Sequence, residues 1–194
     1  IYGVPIIKSE DGGVTYKSID YPNVHADHHD LWINPKDPDH LINGNDGGVN
    51  MSYDGGKNWF KLNQPSVGQF YAINVDYSKP YNVYGGLQDN GVWMAKGNSN
   101  ESLRWRQSGH NNWKSIMGGD GMQIQIDRRD SNIIYTGSQF GVYYRLDNNS
   151  NKRYYIKPKH DLGEKKLRFN WQSPILLSPH NQDILYFGSN KLHV

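Results

Sequence analysis

The feature that most constrains this chain is a fourfold internal repeat. Each copy reads as an apolar run, an anchor residue (Asn, Asp or Ser), a polar turn, an apolar triplet and a glycine. The anchors are Asn34, Asp76, Asp127 and Ser178, which recur after 42, 51 and 51 residues. Units of roughly 40 to 50 residues with this punctuation are typical of propeller blades rather than of helical repeats.

The segments before the first three anchors alternate with period two, as in Leu31 and Ile33, Ile73 and Val75, and Ile124 and Ile126. This period predicts half-buried strands. Aromatic residues divided by glycine also favour turn-rich β-structure, and the chain has 14 Tyr, 6 Trp and 21 Gly.

We therefore predict an all-β protein, a β-propeller of four-stranded antiparallel blades. Residues 1–194 form one segment of a six- to eight-bladed ring, with partial frames at about 1–25 and 170–194 and full frames at 26–65, 66–117 and 118–169. Because blade faces left in water are unfavourable, we expect the remaining blades to come from the parent protein or another chain.

A second motif strengthens the propeller prediction. The segment SYDGGKNW (Ser52 to Trp59) fits the Asp-box pattern S/T-x-D-x-G-x-x-W, and SEDGGVTY (Ser9 to Tyr16) fits it with Tyr in the last place. In such a hairpin the carboxylate accepts from turn amides and glycine permits positive φ. We predict that Asp11 and Asp54 are structural.

These motifs carry a family resemblance. The segment VHADHHDLWINPKDPDHLINGNDGGVNMSYDGGKNW, with GGLQDNGVW, GGDGMQIQID and FNWQSPILLSPHNQDILYFGSNKL, resembles the Asp-box (BNR) propellers of the sortilin-like bacterial "glycosyl hydrolase" family. It is distantly similar to the xyloglucan-degrading propeller glycosidases. The resemblance implies a secreted or periplasmic protein that acts on or binds extracellular polysaccharide. No catalytic aspartate of those glycosidases matches a position here.

Composition argues against several other kinds of site and partner. The chain has no cysteine, so it offers neither a disulfide nor a thiolate site. No apolar stretch approaches the roughly 20 residues of a membrane helix, and a net charge of +2 argues against a general nucleic-acid binder. Eight Lys or Arg against three acids between Arg145 and Arg168 make one basic region, either a solvated loop or a surface for an anionic partner. No nucleotide or phosphate-loop motif is present, and we predict no cofactor.

Blade topology locates the candidate site. The entries to the first strands and the turns between second and third strands lie at the same end of a propeller, where loops line the channel mouth. Seven residues before the anchors stand Asp27, Gln69, Asp120 and Trp171. The candidate catalytic residues are Asp27, Asp89 and Asp120. The candidate substrate-binding residues are His25, His28, His29, Gln88, Asn90, His110, Trp113 and Trp171.

The segment HADHHD admits three interpretations. Its imidazoles and carboxylates suit a metal, but on an extended strand at most His25, Asp27 and His29 share a face, and we predict no metal. Alternatively, Asp27, His28 or His29 could contact sugar or act in catalysis, or the segment could supply buried polar groups that tie neighbouring blades together. Asp89 lies in a turn that its side chain could simply form, and Asp120 is open to either role.

The function stays open between two classes. Glycoside hydrolysis needs two carboxyl groups across the scissile bond, and here the pair would be aspartates. We favour a glycosyl-hydrolase-like propeller that acts on or binds polysaccharide at the channel mouth, and leave catalysis undecided. The alternative is a non-catalytic sortilin-like propeller that binds protein, peptide or glycan.

Overall fold

The computed structural model describes residues 2–20, 24–62, 68–100 and 112–194, and all regular structure in these ranges is β-strand. The chain divides into two compact units, residues 1–67 and residues 68–194, which are described separately. Within the described ranges, no helix has the length and apolarity to cross a membrane.

Unit 1 contains a two-stranded hairpin and one four-stranded sheet. The hairpin pairs β1 (Ile7–Lys8) with β2 (Lys17–Ser18). The sheet, called sheet A, is an antiparallel meander of β3 (His28–Asn34), β4 (Asp37–Asn45), β5 (Gly48–Ser52) and β6 (Phe60–Leu62). One of its faces packs on the hairpin through a core of Ile6, Leu41 and Trp59.

Unit 2 contains three consecutive antiparallel meanders. Sheet B consists of β7 (Phe70–Val75), β8 (Asn82–Leu87), β9 (Gly91–Lys96) and β10 (Lys114–Met117). Sheet C consists of β11 (Ile124–Ile126), β12 (Ile133–Ser138), β13 (Val142–Asp147) and β14 (Lys152–Tyr155). Sheet D has three strands, β15 (Ile175–Leu177), β16 (Leu185–Gly188) and β17 (Leu192–His193).

The predicted fold class is confirmed: the described chain is all-β, and three of its antiparallel sheets have four strands. In unit 2 the first strands of successive sheets are neighbours. The side-chain amide of Asn74 in β7 donates to the Ile124 carbonyl in β11 at 2.8 Å. Gln123 Oε1 accepts from the Ile175 amide at 2.9 Å, which joins the next pair of sheets. Sheets arranged side by side through their first strands are the arrangement of propeller blades. The number of blades stays a prediction.

The anchor residues explain why the repeat is visible in the sequence. In every copy the anchor side chain accepts a hydrogen bond from the backbone amide two residues later, which fixes the turn between the first and second strands. These contacts are Asn34 to Lys36 at 3.0 Å, Asp76 to Ser78 at 3.1 Å, Asp127 to Arg129 at 2.8 Å and Ser178 to His180 at 3.3 Å. Asn, Asp and Ser are interchangeable there because each presents a short side-chain oxygen.

The two hairpins with the S-x-D pattern also share one set of bonds. Asp54 accepts from the Ser52 hydroxyl at 2.9 Å and from the Asn58 amide at 2.9 Å. Asp11 accepts from the Ser9 hydroxyl at 2.8 Å and the Thr15 amide at 2.9 Å. Both carboxylates are therefore structural, as the sequence predicts.

Candidate functional site

Four segments of unit 2 meet at one end of its sheets, which we call the entry end. They are the hairpin loops 88–90 and 139–141 and the entry segments 118–123 and 169–174. Backbone hydrogen bonds join them: Gly121 N to Leu87 O at 2.9 Å, and Phe140 N to Trp171 O at 3.1 Å. The structure thus brings together Gln88, Asp89, Asn90, Asp120 and Trp171, as their sequence positions predict.

Asp120 is the most enclosed carboxylate of this end, with 8% of its surface exposed. One of its oxygens accepts a hydrogen bond from the backbone amide of Asp89 at 2.7 Å. The other accepts from the side-chain amide of Gln139 at 2.9 Å. Both oxygens are therefore engaged in joining sheet B to the hairpin loop of sheet C. Of the two roles left open for Asp120, this geometry favours the positioning role.

Glycines let these segments approach closely. A Cβ on Gly121 would lie 2.1 Å from the Gly91 carbonyl, and a Cβ on Gly86 would lie 2.1 Å from the Met122 carbonyl. The loop before Gly91 is correspondingly tight, since Asp89 has φ of 60°. Asp tolerates this left-handed conformation better than most residues. The Gly-rich sequences around Asp89 and Asp120 therefore serve backbone packing.

Trp171 and Phe140 form an exposed aromatic pair at the entry end. Their ring centroids are 5.2 Å apart in an edge-to-face arrangement, and their exposed fractions are 40% and 49%. The indole N–H of Trp171 donates to the Tyr71 hydroxyl at 3.2 Å, which in turn donates to Gln88 Oε1 at 3.1 Å. This chain of bonds crosses from sheet D to sheet B and fixes the indole ring.

Phe140 has an unfavourable backbone conformation. Its φ is 58°, in the left-handed region that a bulky side chain rarely adopts. Asp89 occupies the equivalent position of the sheet B hairpin with nearly the same φ of 60°. Phe140 thus presents a largely exposed ring from a backbone conformation that suits Asp better than Phe.

The remaining predicted residues of unit 2 have more local roles. Asn90 donates its side-chain amide to the Gln88 carbonyl at 3.1 Å, and its own carbonyl accepts from the Trp93 indole at 2.5 Å. Trp113 is partly buried and its ring lies 6.4 Å from that of Phe70. His110 lies outside the described residues.

In unit 1 the HADHHD segment separates into exposed and buried residues. Asp27 is exposed, with φ of 58°, and its amide donates to the Val4 carbonyl at 3.3 Å. His25 Nδ1 lies 3.0 Å from the Ala26 carbonyl, and exposed His29 pairs with Asp46 through Nε2. Among the described residues, no three His, Asp or Glu side chains are grouped closely enough to hold a metal ion.

His28 is the buried member of that segment. Its Nδ1 lies 2.9 Å from Asn43 Oδ1 and its Nε2 lies 3.1 Å from Asp20 Oδ2. Asn43 Oδ1 is an acceptor because its own amide donates to the Asp30 carbonyl at 2.8 Å. Both ring nitrogens therefore face acceptors. The His28 side chain has no exposed surface with which to contact a polysaccharide, so its role is structural.

Asp20 completes this buried network. Burial alone would raise the pKa of its carboxyl, but hydrogen bonds from Ser18, His28 and the Ile6 amide outweigh burial and lower the pKa. The carboxylate is therefore held ionised beside His28. Of the three interpretations of HADHHD, the network corresponds to buried polar groups that hold elements together.

Sequence reasoning missed Tyr71 and Phe140 as site residues. Tyr71 is indistinguishable from any strand aromatic until Trp171, 100 positions away, is placed beside it. Phe140 left a usable signal, because an aromatic between Gln139 and Gly141 stands in a hairpin loop where polar residues are usual.

The fold and site define an all-β protein of blade-like sheets with an exposed aromatic and amide surface where loops converge. No protein-family model matches the chain, and no curated protein matches it. A solved structure similar to it is the crystal structure of an ancestral GH74 enzyme, with a TM-score of 0.41 and 16% sequence identity. The match covers 96% of this chain and 25% of that one, so this chain spans about a quarter of that enzyme's length.

Proposed function

We propose that unit 2 binds polysaccharide at its entry end, on the exposed aromatic pair of Phe140 and Trp171. The observation that carries the proposal is this pair itself. Hydrogen bonds through Tyr71 to Gln88 fix the Trp171 ring, and the Phe140 ring projects from a backbone with φ of 58°. Aromatic faces stack on the apolar faces of sugar rings, and neighbouring amides and carboxylates bond to hydroxyl groups.

Preorganisation supports this proposal. A ligand that orders a flexible side chain loses affinity to side-chain entropy, whereas a ring already fixed does not incur that loss. Trp171 is fixed through its indole N–H and its backbone carbonyl, which accepts from the Phe140 amide. Gln139 is likewise held by Asp120. The surface therefore presents aromatic and polar groups in one arrangement.

We place the chain in an Asp-box propeller of the sortilin-like bacterial type, secreted or periplasmic, whose other blades come from the parent protein or a partner chain. The sequence resemblance supports this placement, as do the two hairpins with the S-x-D pattern. In such a protein the entry end would be the mouth of the channel.

Glycoside hydrolysis is the second candidate function. The observation in its favour is that two carboxylates come from touching segments, since the Asp89 amide lies 2.7 Å from an oxygen of Asp120. Against it, both oxygens of Asp120 are engaged and the residue is nearly buried. Binding without hydrolysis is therefore the function that the geometry supports best.

The test is affinity electrophoresis of the 194-residue chain through gels that contain soluble polysaccharides, neutral and charged. Trp171→Ala and Phe140→Asn should abolish retardation. Asn suits positive φ, so Phe140→Asn should leave the melting temperature unchanged or higher, which separates lost binding from lost folding. Tyr77→Ala is the matched control, since Tyr77 is 68% exposed but lies in the turn after β7, at the opposite end of the sheet.

Retardation that Trp171→Ala leaves unchanged, or no retardation by any polysaccharide, would overturn the proposal. Sugar release from a retained polysaccharide, lost in Asp89→Asn while binding persists, would establish the hydrolase instead.

A further inference from the structure

We propose that the polysaccharide bound at the entry end is anionic, and that residues 156–168, called the cationic loop, supply the positive side of its site. This inference rests on the proposed function and names the class of ligand that the same surface takes. The carboxylates of uronic acids and the sulfates of sulfate esters both supply the negative charge that such a site requires.

Strand direction places the cationic loop at the entry end. The hairpin loop 139–141 lies at that end and leads into β13, and β14 runs antiparallel to β13, so β14 finishes there. The Ile156 amide bonds to the Tyr143 carbonyl at 3.0 Å, just beyond the last strand pair. At its other end the loop runs directly into Phe169, Asn170 and Trp171. Both ends of the loop are thus at the aromatic pair's end of unit 2.

The loop carries an excess of positive charge. It holds five cations, Lys157, Lys159, Lys165, Lys166 and Arg168, against the two acids Asp161 and Glu164. Glu164 is paired with Lys191 outside the loop, at 2.9 Å, and that contact lowers the pKa of its carboxyl. The Lys157 ammonium lies 4.5 Å from the centroid of the Phe169 ring. Lys165 and Lys166 are exposed, and their side chains have no hydrogen-bond or ion-pair partner in the part of the chain that the structure describes.

This charge is local rather than general. The stretch from Arg145 to Arg168 has a net charge of +5 in a chain of net charge +2, so the remainder is about −3. A localised cluster attracts an anionic ligand to one place, over about one Debye length of 8 to 10 Å. An anionic chain that stacks on Trp171 would meet the cationic loop, which runs directly into that residue.

The carboxylate of Asp120 does not oppose this arrangement. Asp120 precedes β11, and the cationic loop begins after β14, so the start of the loop and Asp120 lie at opposite edges of sheet C. Three strand spacings separate these edges, about 14 Å. The Asp120 charge is also held by the Asp89 amide and by Gln139. Negative groups of the ligand are therefore expected on the β14 side of the aromatic pair.

The experiment compares pairs of polymers that share a sugar backbone and differ in charge. Dissociation constants are measured for polygalacturonate against fully methyl-esterified pectin, and for dextran sulfate against dextran, at low and at high salt. The first pair tests carboxylates and the second tests sulfates. Polyglutamate and a single-stranded oligonucleotide test whether any polyanion suffices.

The variants are Lys165→Gln/Lys166→Gln and, as the matched control, Lys152→Gln/Arg153→Gln. The control removes the same charge from exposed residues of β14, the strand that leads into the cationic loop. Lys152 lies opposite Asp147 in the strand register, at the end of β14 that is away from the entry end. A decrease caused by net charge alone would be equal in the two variants.

We expect at least one anionic polysaccharide to bind about tenfold more tightly than its neutral partner at low salt, with the preference lost at high salt. The Lys165/Lys166 variant should lose most of that preference, the Lys152/Arg153 variant should keep it, and Trp171→Ala should weaken binding of both polymers. Equal affinity for charged and neutral polymers would overturn this inference alone, with Trp171-dependent binding intact. Equal losses in both charge variants would also overturn it. So would binding of polyglutamate or the oligonucleotide as tight as that of the anionic polysaccharide and independent of Trp171. Failure of every polysaccharide to bind would overturn the proposed function as well.

Discussion

The carboxylate of Asp120 accepts a hydrogen bond from the backbone amide of Asp89 at 2.7 Å, and this bond joins two segments that lie 31 residues apart. The second Asp120 oxygen extends the connection to Gln139. The entry end of unit 2 is thus organised by a nearly buried charge, with the aromatic pair at its rim. Asp120 can therefore hold the loops in place without contacting a ligand itself.

Replacing Asp120 should destabilise the fold in a graded way. Asp120→Ala removes the carboxylate that accepts from the Asp89 amide and from the Gln139 side chain, and we expect a loss of about 2 to 4 kcal/mol in the free energy of unfolding. Asp120→Asn should lose about 1 kcal/mol, because a flipped Gln139 side chain can accept from the new amide while the Asn oxygen keeps the Asp89 contact. Urea unfolding followed by tryptophan fluorescence measures both.

Two outcomes would contradict this account of Asp120. Equal losses for Ala and Asn would mean that the charge itself, and not the pair of acceptors, holds the loops. Unchanged stability in Asp120→Ala would mean that the two hydrogen bonds contribute nothing net.

Replacing two neighbouring histidines of unit 1 should change stability by very different amounts. His28→Ala removes a buried ring together with its hydrogen bonds to Asp20 and Asn43. Each acceptor oxygen then keeps one donor, the Ile6 amide or the Asn45 side-chain amide. We expect a loss of about 2 to 4 kcal/mol from the lost bonds and the cavity. His29→Ala removes an exposed contact to Asp46 and should change stability by less than about 1 kcal/mol. Thermal unfolding of the two variants measures the difference, and a larger effect at His29 would contradict the buried network.

Much of the fold could be predicted from the sequence because its signals are local. Each anchor bonds to an amide two residues away, so Asn, Asp or Ser at Asn34, Asp76, Asp127 and Ser178 records the turn directly. The hairpins at Asp11 and Asp54 are local for the same reason. Strand alternation was also readable, although it did not indicate which faces are covered: Ile73 and Val75 are 64% and 49% exposed, whereas Ile124 is buried.

The candidate site was only partly predictable because its contacts are long-range. Alternation correctly separates buried His28 from its exposed neighbours Asp27 and His29, but it does not show which side of the strand is buried. Nothing local connects Trp171 with Tyr71, and nothing local shows that both oxygens of Asp120 are engaged. Such facts depend on which loops the sheets bring together.

Replacing the anchor residue Asp127 should also reduce stability in a graded way. Asp127 accepts from the backbone amide of Arg129 and from its guanidinium, which also reaches Asp183. The guanidinium bond, followed by the amide bond, lowers the pKa of the Asp127 carboxyl despite its burial. Asp127→Ala loses both contacts and should destabilise by about 2 kcal/mol, whereas Asp127→Asn keeps the turn and should lose about half as much. Equal losses measured by urea unfolding would assign the stabilisation to the ion pair and not to the turn.

Acid should weaken the hairpin held by Asp54. Hydrogen bonds from the Asn58 side chain and amide lower the pKa of the Asp54 carboxyl from 3.8 to about 2. A lowered pKa means that the stabilisation is fully present above the ordinary value and is lost as pH falls from about 4 towards 2.

Asp54→Asn removes this titration while it keeps one acceptor oxygen. The melting temperature of Asp54→Asn should therefore lie below that of the parent chain at pH 7, and the difference should shrink at pH values below about 3. Asp161→Asn, at an exposed carboxyl whose side chain has no bonded partner in the described ranges, is the control and should show a small difference at every pH. A difference for Asp54→Asn that stays constant with pH would mean that the neutral acceptor, and not the carboxylate charge, stabilises the hairpin.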